Sequence, residues 1–539
     1  MSNYLKNILN RTQTAQSQPI PGSDQVRNSA GGYAWPVDQW DRLKRFLILG
    51  SEGGSYYASQ NSLSLENAQN VVACIETDGR RTVQEIVAIS REERAPKHDP
   101  AIFALALAAA VGDTETRQAA LAALPDVCRT GTHLFQFAGF VQGFRGWGRA
   151  LRRGIAGWYQ NLATPRLAYQ VVKYRQRDGW THTDLLRLAH PRPESDTKGA
   201  LYQWITRRDE AIWAQADRVP EDEALAFVWA FEQVQRADTL KAVLKLVADY
   251  DLPREALPTQ WLNEVATWEA LLEKMPMTAM LRNLGVMAKV GLLTPMSAAE
   301  QTIIDRLADA DRLHQARIHP IALLSALRVY AQGRGVRGRN TWTPTPRVID
   351  ALDAAFYLAF QNVEPANKPL LLALDVSGSM SMGMIAGVPG LTPRNGSAAM
   401  ALVTARTEPQ YDIISFQDRI VPLNISANMR LDDAVKATHN LPFGRTDCAQ
   451  PMLYALDKKL KVDTFVIYTD SETWFGKIHP VQALQRYRET TGIPAQLIVV
   501  GMVSNGFSIA DPNDAGMLDV VGFDSATPRI MSNFARGQI

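Results

Sequence analysis

The chain has 539 residues, of which 46% are hydrophobic and 21% are charged, and its formal net charge is +2. That length exceeds what one hydrophobic core normally supports, so we expect at least two domains. There is no run of about 18 uncharged apolar residues, and the amino terminus lacks the apolar core of a secretory signal, so we predict a cytoplasmic protein. The scattered Cys74, Cys128 and Cys448 argue against disulfides or structural zinc and predict three buried small side chains.

Helical patterns dominate the first two thirds of the chain. Residues 1–20 are predicted to be a flexible N-terminal segment. From about residue 36 to residue 362, apolar side chains recur at steps of three and four, as in amphipathic helices. Paired helices over such a length must stack to bury their apolar faces. We therefore predict an all-α solenoid of HEAT-like hairpins over residues 21–363, although the sequence contains no repeat of fixed period.

One part of this helical region is strongly basic. Between Asp126 and Asp178 the chain has no acidic residue but nine basic ones, which predicts a surface for a polyanion. Trp147, Trp158 and Tyr159 lie among them, and their spacing along a predicted helix favours the protein core over base stacking. The nine basic residues are Arg129, Arg145, Arg149, Arg152, Arg153, Arg166, Lys173, Arg175 and Arg177.

The basic region ends at a turn between two predicted helices. Lys173 and Arg177 are four residues apart, which predicts that they share a helical face. Thr181 and Asp184 have the spacing of a capping box at the start of the following helix. His190 comes after that helix, where a local hydrogen-bonding role is the alternative to a ligand-binding one. A cationic corner of this kind can bind a phosphate backbone.

A second basic cluster lies near the end of the helical region. The sequence GRGVRGRN contains Arg334, Arg337 and Arg339, and its glycines predict an exposed loop. We count Arg334 and Arg337 among the candidate polyanion contacts. The alternative is a solvated loop without a binding role.

A different pattern begins after the sequence EPANKP, which we predict to be a linker at residues 364–369. Over residues 370–539, short apolar runs alternate with helix-like segments. Strands that alternate with helices predict βαβ units and an α/β doubly wound parallel sheet of Rossmann-like type. Ligands of such sheets bind at the carboxyl ends of the strands.

Oxygen-bearing side chains follow these predicted strands. Asp375, Ser377 and Ser379 come directly after LLLAL, Thr446 opens a helix, and Asp470 ends the run VIYTD. Mg²⁺ prefers octahedral coordination by carboxylates, hydroxyls and waters. The set therefore predicts a divalent-cation site for Mg²⁺, with Mn²⁺ or Ca²⁺ as alternatives. A metal-free turn in which Asp375 caps a helix is the other interpretation.

The three elements resemble the metal-ion-dependent adhesion site (MIDAS) of von Willebrand factor A domains. The resemblance implies that Ser377, Ser379 and Thr446 coordinate the metal directly, whereas Asp375 acts mostly through water. It also implies that the metal accepts a carboxylate from an acidic protein ligand. A site of this kind serves adhesion rather than catalysis.

Longer phrases resemble the Ro autoantigen family, in which a TROVE domain precedes a von Willebrand factor A domain. They include NSAGGYAW, GRALRRGIAGWY, KYRQRDGWTHTDLLRL, LLALDVSGSM and GRTDCAQP, and short loops point to a bacterial member. The resemblance implies a closed ring that binds Y RNA on its outer surface and single-stranded 3′ ends of misfolded RNAs in its central hole. It implies that Lys173, Arg177 and His190 contact RNA, and that polynucleotide phosphorylase or another exoribonuclease is a partner.

Two positions depart from the family pattern. Arg445 stands beside Thr446 where many relatives have a second glycine, and Ser471 replaces the asparagine of TDNET. The arginine either weakens metal binding or points to solvent. The serine is a minor change.

We therefore predict a monomeric, noncatalytic RNA-binding ring that acts in RNA quality control, maturation or stress response. The alternative is a metal-dependent adhesion module with incidental RNA binding. A hydrolase is least favoured, because only Asp447 and Glu472 near the metal elements could act as a base. The predicted RNA contacts are Lys173, Arg177, His190, Arg149, Arg152, Arg153, Arg175, Arg334 and Arg337.

Overall fold

The structure is a computed structural model. It describes residues 13–539 except 53, 56–57, 336–339, 361–362, 386–387, 389–390, 439–440, 442–443 and 525. Helices fill the first part of the chain and a mixed α/β arrangement fills the second, so the predicted fold class is confirmed. Cys74, Cys128 and Cys448 are free and buried, as predicted.

Hairpins of short helices build the first part of the chain. Within the described residues, no helix combines the length and the apolarity needed to cross a bilayer. The helix at 60–92 is interrupted at Asp78, where φ is −157° and ψ is 92°. The helices are Gln39–Leu49, Gln60–Glu92, Asp99–Val111, Thr114–Ala122, Leu124–Val127, Gly131–Phe144, Arg149–Asn161, Thr164–Lys173, His182–Ala189, Asp196–Thr206, Ile212–Gln215, Glu223–Arg236, Leu240–Tyr250, Val265–Lys274, Met277–Lys289, Ala298–Ala308, Ala310–Gln315, Pro320–Ala331 and Pro346–Leu358.

The two ends of this helical array meet. A guanidinium nitrogen of Arg317 lies 3.4 Å from a carboxylate oxygen of Glu93, and the two residues are 224 positions apart. A ring nitrogen of His319 lies 3.2 Å from the backbone oxygen of Arg94. Arg94 in turn donates to the backbone oxygen of Val521 in the second part of the chain. The solenoid therefore closes on itself beside the α/β domain, which helical periodicity alone did not require.

The α/β domain contains a six-stranded sheet. Its strands are β5 (Leu370–Asp375), β6 (Tyr411–Phe416), β7 (Ile420–Val421), β8 (Thr464–Thr469), β9 (Gln496–Gly501) and β11 (Met517–Val521), and its helices are Pro393–Thr407, Leu431–Ala437, Gln450–Asp457, Pro480–Thr491 and Ala526–Ala535. The strand order is β11-β9-β8-β5-β6-β7, and within this sheet only β7 is antiparallel to its neighbour. Strands β5 and β8 are buried along their whole length, as expected of central strands covered on both faces.

Two small sheets complete the fold. A hairpin of β3 (Gln176–Arg177) and β4 (Trp180–Thr181) projects from the helical ring. A three-stranded sheet joins β1 (Val26–Arg27) and β2 (Tyr33–Pro36) to β10 (Phe507–Ser508) of the α/β domain. Residues 26–36 are thereby part of the interface between the two parts of the chain.

The N-terminal segment differs from the flexible stretch predicted for residues 1–20. Residues 1–12 lie outside the described residues, but Thr14, Gln16 and Ile20 are buried. The backbone nitrogen of Gln16 donates to the backbone oxygen of Gly476 at 3.1 Å. Residues 13–20 are fixed because their polar groups find partners in loops of the α/β domain, which are more than 400 positions away in the sequence.

Candidate functional site

The basic turn is a β-hairpin and not a turn between helices. The preceding helix ends at Lys173, and Arg177 lies in β3. Asp178 and Gly179 both have positive φ, 50° and 82°, which is typical of a two-residue type I′ hairpin turn. The prediction that Lys173 and Arg177 share a helical face is wrong, because the helix ends at Lys173 and Arg177 already lies in the first strand of the hairpin.

Lys173 and Arg177 nevertheless come together, since both line one open cavity of about 840 Å³. The only acidic side chain among the lining residues is that of Glu255. Burial, the largest single cause, lowers the pKa of Lys173, but a 3.0 Å hydrogen bond to the Tyr169 hydroxyl and electrostatic interactions with Tyr169, Tyr174 and Glu255 together raise that pKa above its ordinary value. The polar lining also includes Arg175, Arg208, Thr132, Thr181, Thr183 and Thr206. This composition suits a polyanion.

Arg208 is a member of this set that the sequence did not indicate. It lies in the mixed-charge stretch RRDE, and its partner, Glu232, is 24 positions away. The guanidinium donates to both carboxylate oxygens of Glu232, at 2.6 and 2.9 Å. Arg208 and Arg175 both lie over the buried ring of Phe231, at 5.5 and 5.4 Å from its centroid. These contacts fix two cations on one wall of the cavity.

A second basic surface lies at the start of the helix Arg149–Asn161. Arg149, Arg152 and Arg153 are exposed, and within the described residues none of them forms an ion pair. The helix has no side-chain cap and no acidic residue in its first turn, so three cations stand at the positive end of the helix dipole. That arrangement is unfavourable for an isolated helix and becomes favourable when an anion binds.

The inner face of the same helix settles the interpretation of its aromatic residues. Trp158 and Tyr159 are 2% and 0% exposed. The Trp158 indole donates to the backbone oxygen of Cys128 at 2.6 Å. These two rings belong to the core, as predicted, whereas Trp147 is only half-buried.

The remaining predicted contacts are dispersed. His190 is exposed and ends the helix His182–Ala189 in the left-handed conformation, with φ of 49°. The capping box predicted for the start of that helix is present. Arg334 is exposed, and neither it nor His190 lines the cavity described above. Arg337 lies outside the described residues.

The predicted metal residues lie where two neighbouring strands end. Strands β5 and β8 are adjacent and parallel, and their carboxyl ends bring Asp375 and Asp470 to one edge of the sheet. One carboxylate oxygen of Asp375 accepts from the backbone nitrogen of Ser377 at 2.9 Å and the other from the Thr469 hydroxyl at 2.7 Å. The hydroxyl oxygens of Ser377 and Ser379 are 3.1 Å apart. The structure therefore brings four of the five predicted metal-binding residues, Asp375, Ser377, Ser379 and Asp470, to one edge of the sheet.

The carboxylates at this edge repel one another. Asp375 and Asp470 are 0% and 3% exposed. Burial raises the pKa of Asp375. Burial, followed by the nearby charges of Asp375 and Glu472, raises the pKa of Asp470 to about 8. A divalent cation would offset this repulsion, so the donors present fit a hard metal ion.

The loop that carries Thr446 lies close to the same edge of the sheet. Thr446 is buried, and Cys448 just after it lies with its sulfur 3.7 Å from the Thr469 hydroxyl. The described residues contain no group of three or more His, Cys, Asp or Glu side chains that could hold a metal. A metal held here would therefore depend on the hydroxyls of Ser377, Ser379 and Thr446 as well as on the carboxylates.

The Arg445 side chain lies beside two aromatic rings. Its guanidinium lies 4.5 Å from the centroid of the Phe475 ring and 5.8 Å from that of Trp474. Such cation–π contacts hold the guanidinium against the aromatic pair. Arg445 is exposed, so the alternative in which it points to solvent agrees with the structure, and the guanidinium lies against the aromatic pair on that side.

Comparisons with known proteins cover the whole chain. The Ro60 vWA domain model matches residues 369–535 and the TROVE domain model matches residues 26–329. An RNA-binding protein RO60 from Deinococcus radiodurans is 44% identical to this chain over 543 residues, and the match covers 100% of both chains. An RNA-binding protein RO60 from Caenorhabditis elegans is 38% identical over 586 residues, and that match covers 96% of this chain and 90% of the relative. The crystal structure of the Deinococcus radiodurans RO (RSR) protein matches with a TM-score of 0.70 at 44% identity, covering 93% of this chain and 100% of that one. The chain therefore belongs to the Ro protein family, with a TROVE domain followed by a Ro60-type von Willebrand factor A domain (A domain).

Proposed function

We propose that this protein binds structured noncoding RNA without catalysing a reaction on it. The observation that carries the proposal is the cavity formed by Lys173, Arg175, Arg177 and Arg208, with one acidic side chain among its lining residues. The names of the RO60 relatives support the same function. In finer detail, we propose that Y RNA binds on the outer surface of the ring and that single-stranded 3′ ends of RNA enter its central hole. We also propose that the protein is a monomeric ring in the cytoplasm and that it passes such RNAs to an exoribonuclease.

Phosphate contacts would supply most of the affinity. Each contact by a lysine or arginine releases counterions, so the logarithm of the binding constant falls with the logarithm of salt by about 0.7 per contact for single strands. Sequence would be read weakly in a duplex, because the deep groove of A-form RNA excludes side chains. Specificity would instead come from the shape of a duplex beside an unpaired strand.

The test is equilibrium binding of a short RNA duplex with a single-stranded 3′ tail, beside the same duplex with blunt ends, at several salt concentrations. The wild-type protein should bind the tailed RNA tightly and in a salt-sensitive manner. The double variant Lys173→Glu with Arg177→Glu should lose that binding. Retained affinity at moderate salt in the double variant would contradict the assignment of this surface.

A matched control reverses two charges elsewhere on the ring. Arg218 and Lys245 are 83% and 75% exposed and pair with acidic residues of their own segments. Neither residue lines the cavity. The double variant Arg218→Glu with Lys245→Glu changes the net charge by the same amount, so it should bind RNA almost as the wild type does. An equal loss in both double variants would indicate a nonspecific effect of net charge.

We also propose that Asp375, Ser377, Ser379, Thr446 and Asp470 hold a divalent cation, most favourably Mg²⁺. The support is the pair of buried carboxylates, which repel each other without a cation. The metal would give the A domain a Lewis-acidic point at which an acidic protein ligand could dock. Asp375→Ala should remove that docking and leave RNA binding intact. Loss of RNA binding in Asp375→Ala would favour a single, metal-dependent function.

A further inference from the structure

Trp147 and Trp180 form a half-buried aromatic pair at the surface of the ring. Their ring centroids are 5.5 Å apart and their planes are inclined by 49°. Both rings pack against the edge of the hydrophobic core. This separates them from Trp158 and Tyr159, which are enclosed, and leaves part of each indole open to a ligand.

Contacts from the helix Gly131–Phe144 hold this pair in place. The indole nitrogen of Trp147 donates to the side-chain oxygen of Gln142 at 3.3 Å. The five-membered ring of Trp180 lies over Gly139, about 3.5 Å from where a side chain would begin. A ring that is already fixed loses little conformational entropy when a ligand stacks on it.

The approach to Trp147 is open. Gly146 and Gly148 flank it on both sides, and apart from the adjacent residues of the chain no atom of the described residues lies within 4 Å of the position that a β-carbon would occupy at either glycine. Gly146 has φ of 82°, which turns the chain sharply at this point. An open aromatic face between two unobstructed backbone positions is accessible to a flat ligand.

Two cationic residues lie near the pair, one across the hairpin and one along the chain. In the hairpin, Arg177 lies directly opposite Trp180, and directly opposed residues in an antiparallel pair share one face. Arg149 follows Trp147 by two positions and is exposed. The nearest acidic residue along the chain, Asp178, is paired with Arg177 at 3.4 Å. A planar ligand here would therefore be attached to a polyanion.

We infer that Trp147, backed by Trp180, is a stacking site for one unpaired RNA base. The inference rests on the proposed RNA binding and deepens it. The ligand is a nucleotide that leaves the duplex next to the phosphates bound by Lys173 and Arg177. Every base has a flat face, so the site distinguishes an unpaired nucleotide from a paired one and not one base from another.

The experiment uses the full chain and a short duplex with a 3′ tail of adenosines. Stacking on an aromatic side chain corresponds to roughly a 5- to 150-fold change in affinity per base. Trp147→Ala should weaken binding of the tailed RNA by about tenfold or more, and Trp147→Phe should recover most of that loss. Unchanged affinity in Trp147→Ala would overturn the inference.

A second RNA identifies the interacting group. In this RNA the tail keeps its phosphates but has abasic positions, so wild-type protein should bind it as weakly as Trp147→Ala binds the intact tail. On the abasic RNA, Trp147→Ala should cause no further loss. An equal loss on both RNAs would show that Trp147 acts only through folding, and would overturn the inference.

Two comparisons separate this inference from the proposed function. Trp213→Ala removes another half-buried tryptophan, in an acidic stretch of the chain, and should leave binding unchanged. If wild-type protein binds salt-sensitively and the Lys173→Glu, Arg177→Glu variant does not, RNA binding stands whatever Trp147→Ala does. If wild-type protein fails to bind any of these RNAs, both the function and the inference fall.

Discussion

The guanidinium of Arg45, on the first helix of the ring, forms an ion pair with Asp519 in strand β11 of the A domain. Arg45 is 2% exposed. It also donates to the backbone oxygen of Phe507 at 3.0 Å and to the side-chain oxygen of Asn505 at 3.3 Å. A buried guanidinium with this many acceptors from one domain ties the ring to that domain.

Arg45→Met should therefore destabilise the protein strongly. Removing one partner of a buried ion pair typically costs about 3 to 5 kcal/mol, because the remaining groups stay desolvated and unpaired. Urea unfolding at constant pH measures the change. As a control, Arg42→Met breaks a more exposed pair with Glu66 and should cost no more than about 1 kcal/mol. Similar small losses in both variants would show that the interface does not depend on Arg45.

Gln16→Ala should destabilise the loops of the A domain that carry Thr446 and Asp470. The Gln16 amide donates to Asp447 at 2.6 Å and to the backbone oxygen of Ile478 at 2.8 Å, and its oxygen accepts from the Thr473 hydroxyl. Each partner left unsatisfied costs about 1 to 3 kcal/mol.

The measurement for Gln16 is the thermal melting temperature of the full chain. Gln18 lies two positions away with an exposed side chain, so Gln18→Ala should melt at the wild-type temperature. A lower melting temperature in Gln16→Ala alone is expected. If both variants melt at the wild-type temperature, the contacts of Gln16 do not stabilise the loops of the A domain.

Local sequence patterns predicted the parts of the fold that depend on local physics. The run LLLALD forms the fully buried strand β5, and its polar continuation places Asp375 and Ser377 at the carboxyl end of the sheet. The Asp178-Gly179 pair is typical of a two-residue hairpin turn, but no hairpin was predicted there. The four-residue spacing of Lys173 and Arg177 was instead interpreted as helical, which gave the wrong local structure for Arg177 although its place on the basic surface was predicted.

Contacts between distant residues could not be predicted in this way. Gln16 and Asp447 are 431 positions apart, and nothing near Gln16 distinguishes it from other glutamines of a polar segment. Arg208 joins the basic cavity only because chain folding places it beside Glu232. Periodicity shows which face of a helix is buried, but the neighbour across that face is set by the packing of the whole ring.

Arg177→Ala and Arg208→Ala should affect RNA binding unequally. Arg208 donates to both carboxylate oxygens of Glu232, of which the side chain is 4% exposed, so its charge is largely neutralised. Among the described residues Arg177 pairs with the equally exposed Asp178 alone, at 3.4 Å, and such exposed pairs are weak. The salt slope of binding should fall by about 0.7 in Arg177→Ala and by less in Arg208→Ala. Equal slopes in the two variants would contradict this ranking.

Asp470→Asn tests two effects of this carboxylate, namely the stability lost by burying it and its contribution to metal binding. Burial and the charges of Asp375 and Glu472 oppose ionisation of Asp470, so without metal the amide variant should melt at a higher temperature than the wild type. Mg²⁺ should raise the melting temperature of the wild type but not of the variant. Asp457→Asn changes a carboxylate that is 72% exposed and should keep the Mg²⁺ response. A response retained in Asp470→Asn would remove that residue from the metal site.

Acidification should destabilise the ring through histidines whose pKa is lowered by full or partial burial. His182 is 3% exposed, one ring nitrogen lies 2.7 Å from the Tyr159 hydroxyl, and burial lowers its pKa from 6.5 to about 3. His98 and His133 are half-buried, and their partial burial together with the charge of Arg129 lowers the pKa of His98 to about 3 and that of His133 to about 4.

Stability should fall on acidification because the unfolded state binds protons that the folded state does not. Below about pH 6.5 the unfolded chain protonates each of these histidines while the folded ring does not, so stability falls by about 1.4 kcal/mol per pH unit per histidine. The loss continues until the pH reaches the folded-state pKa. In urea unfolding between about pH 6 and pH 4, His182→Gln should reduce this slope by one proton, whereas replacing the exposed His314 with glutamine should not change it. If the His182→Gln slope equals that of the wild type, His182 is able to bind a proton in the folded ring and its site is less enclosed than the contact with Tyr159 indicates.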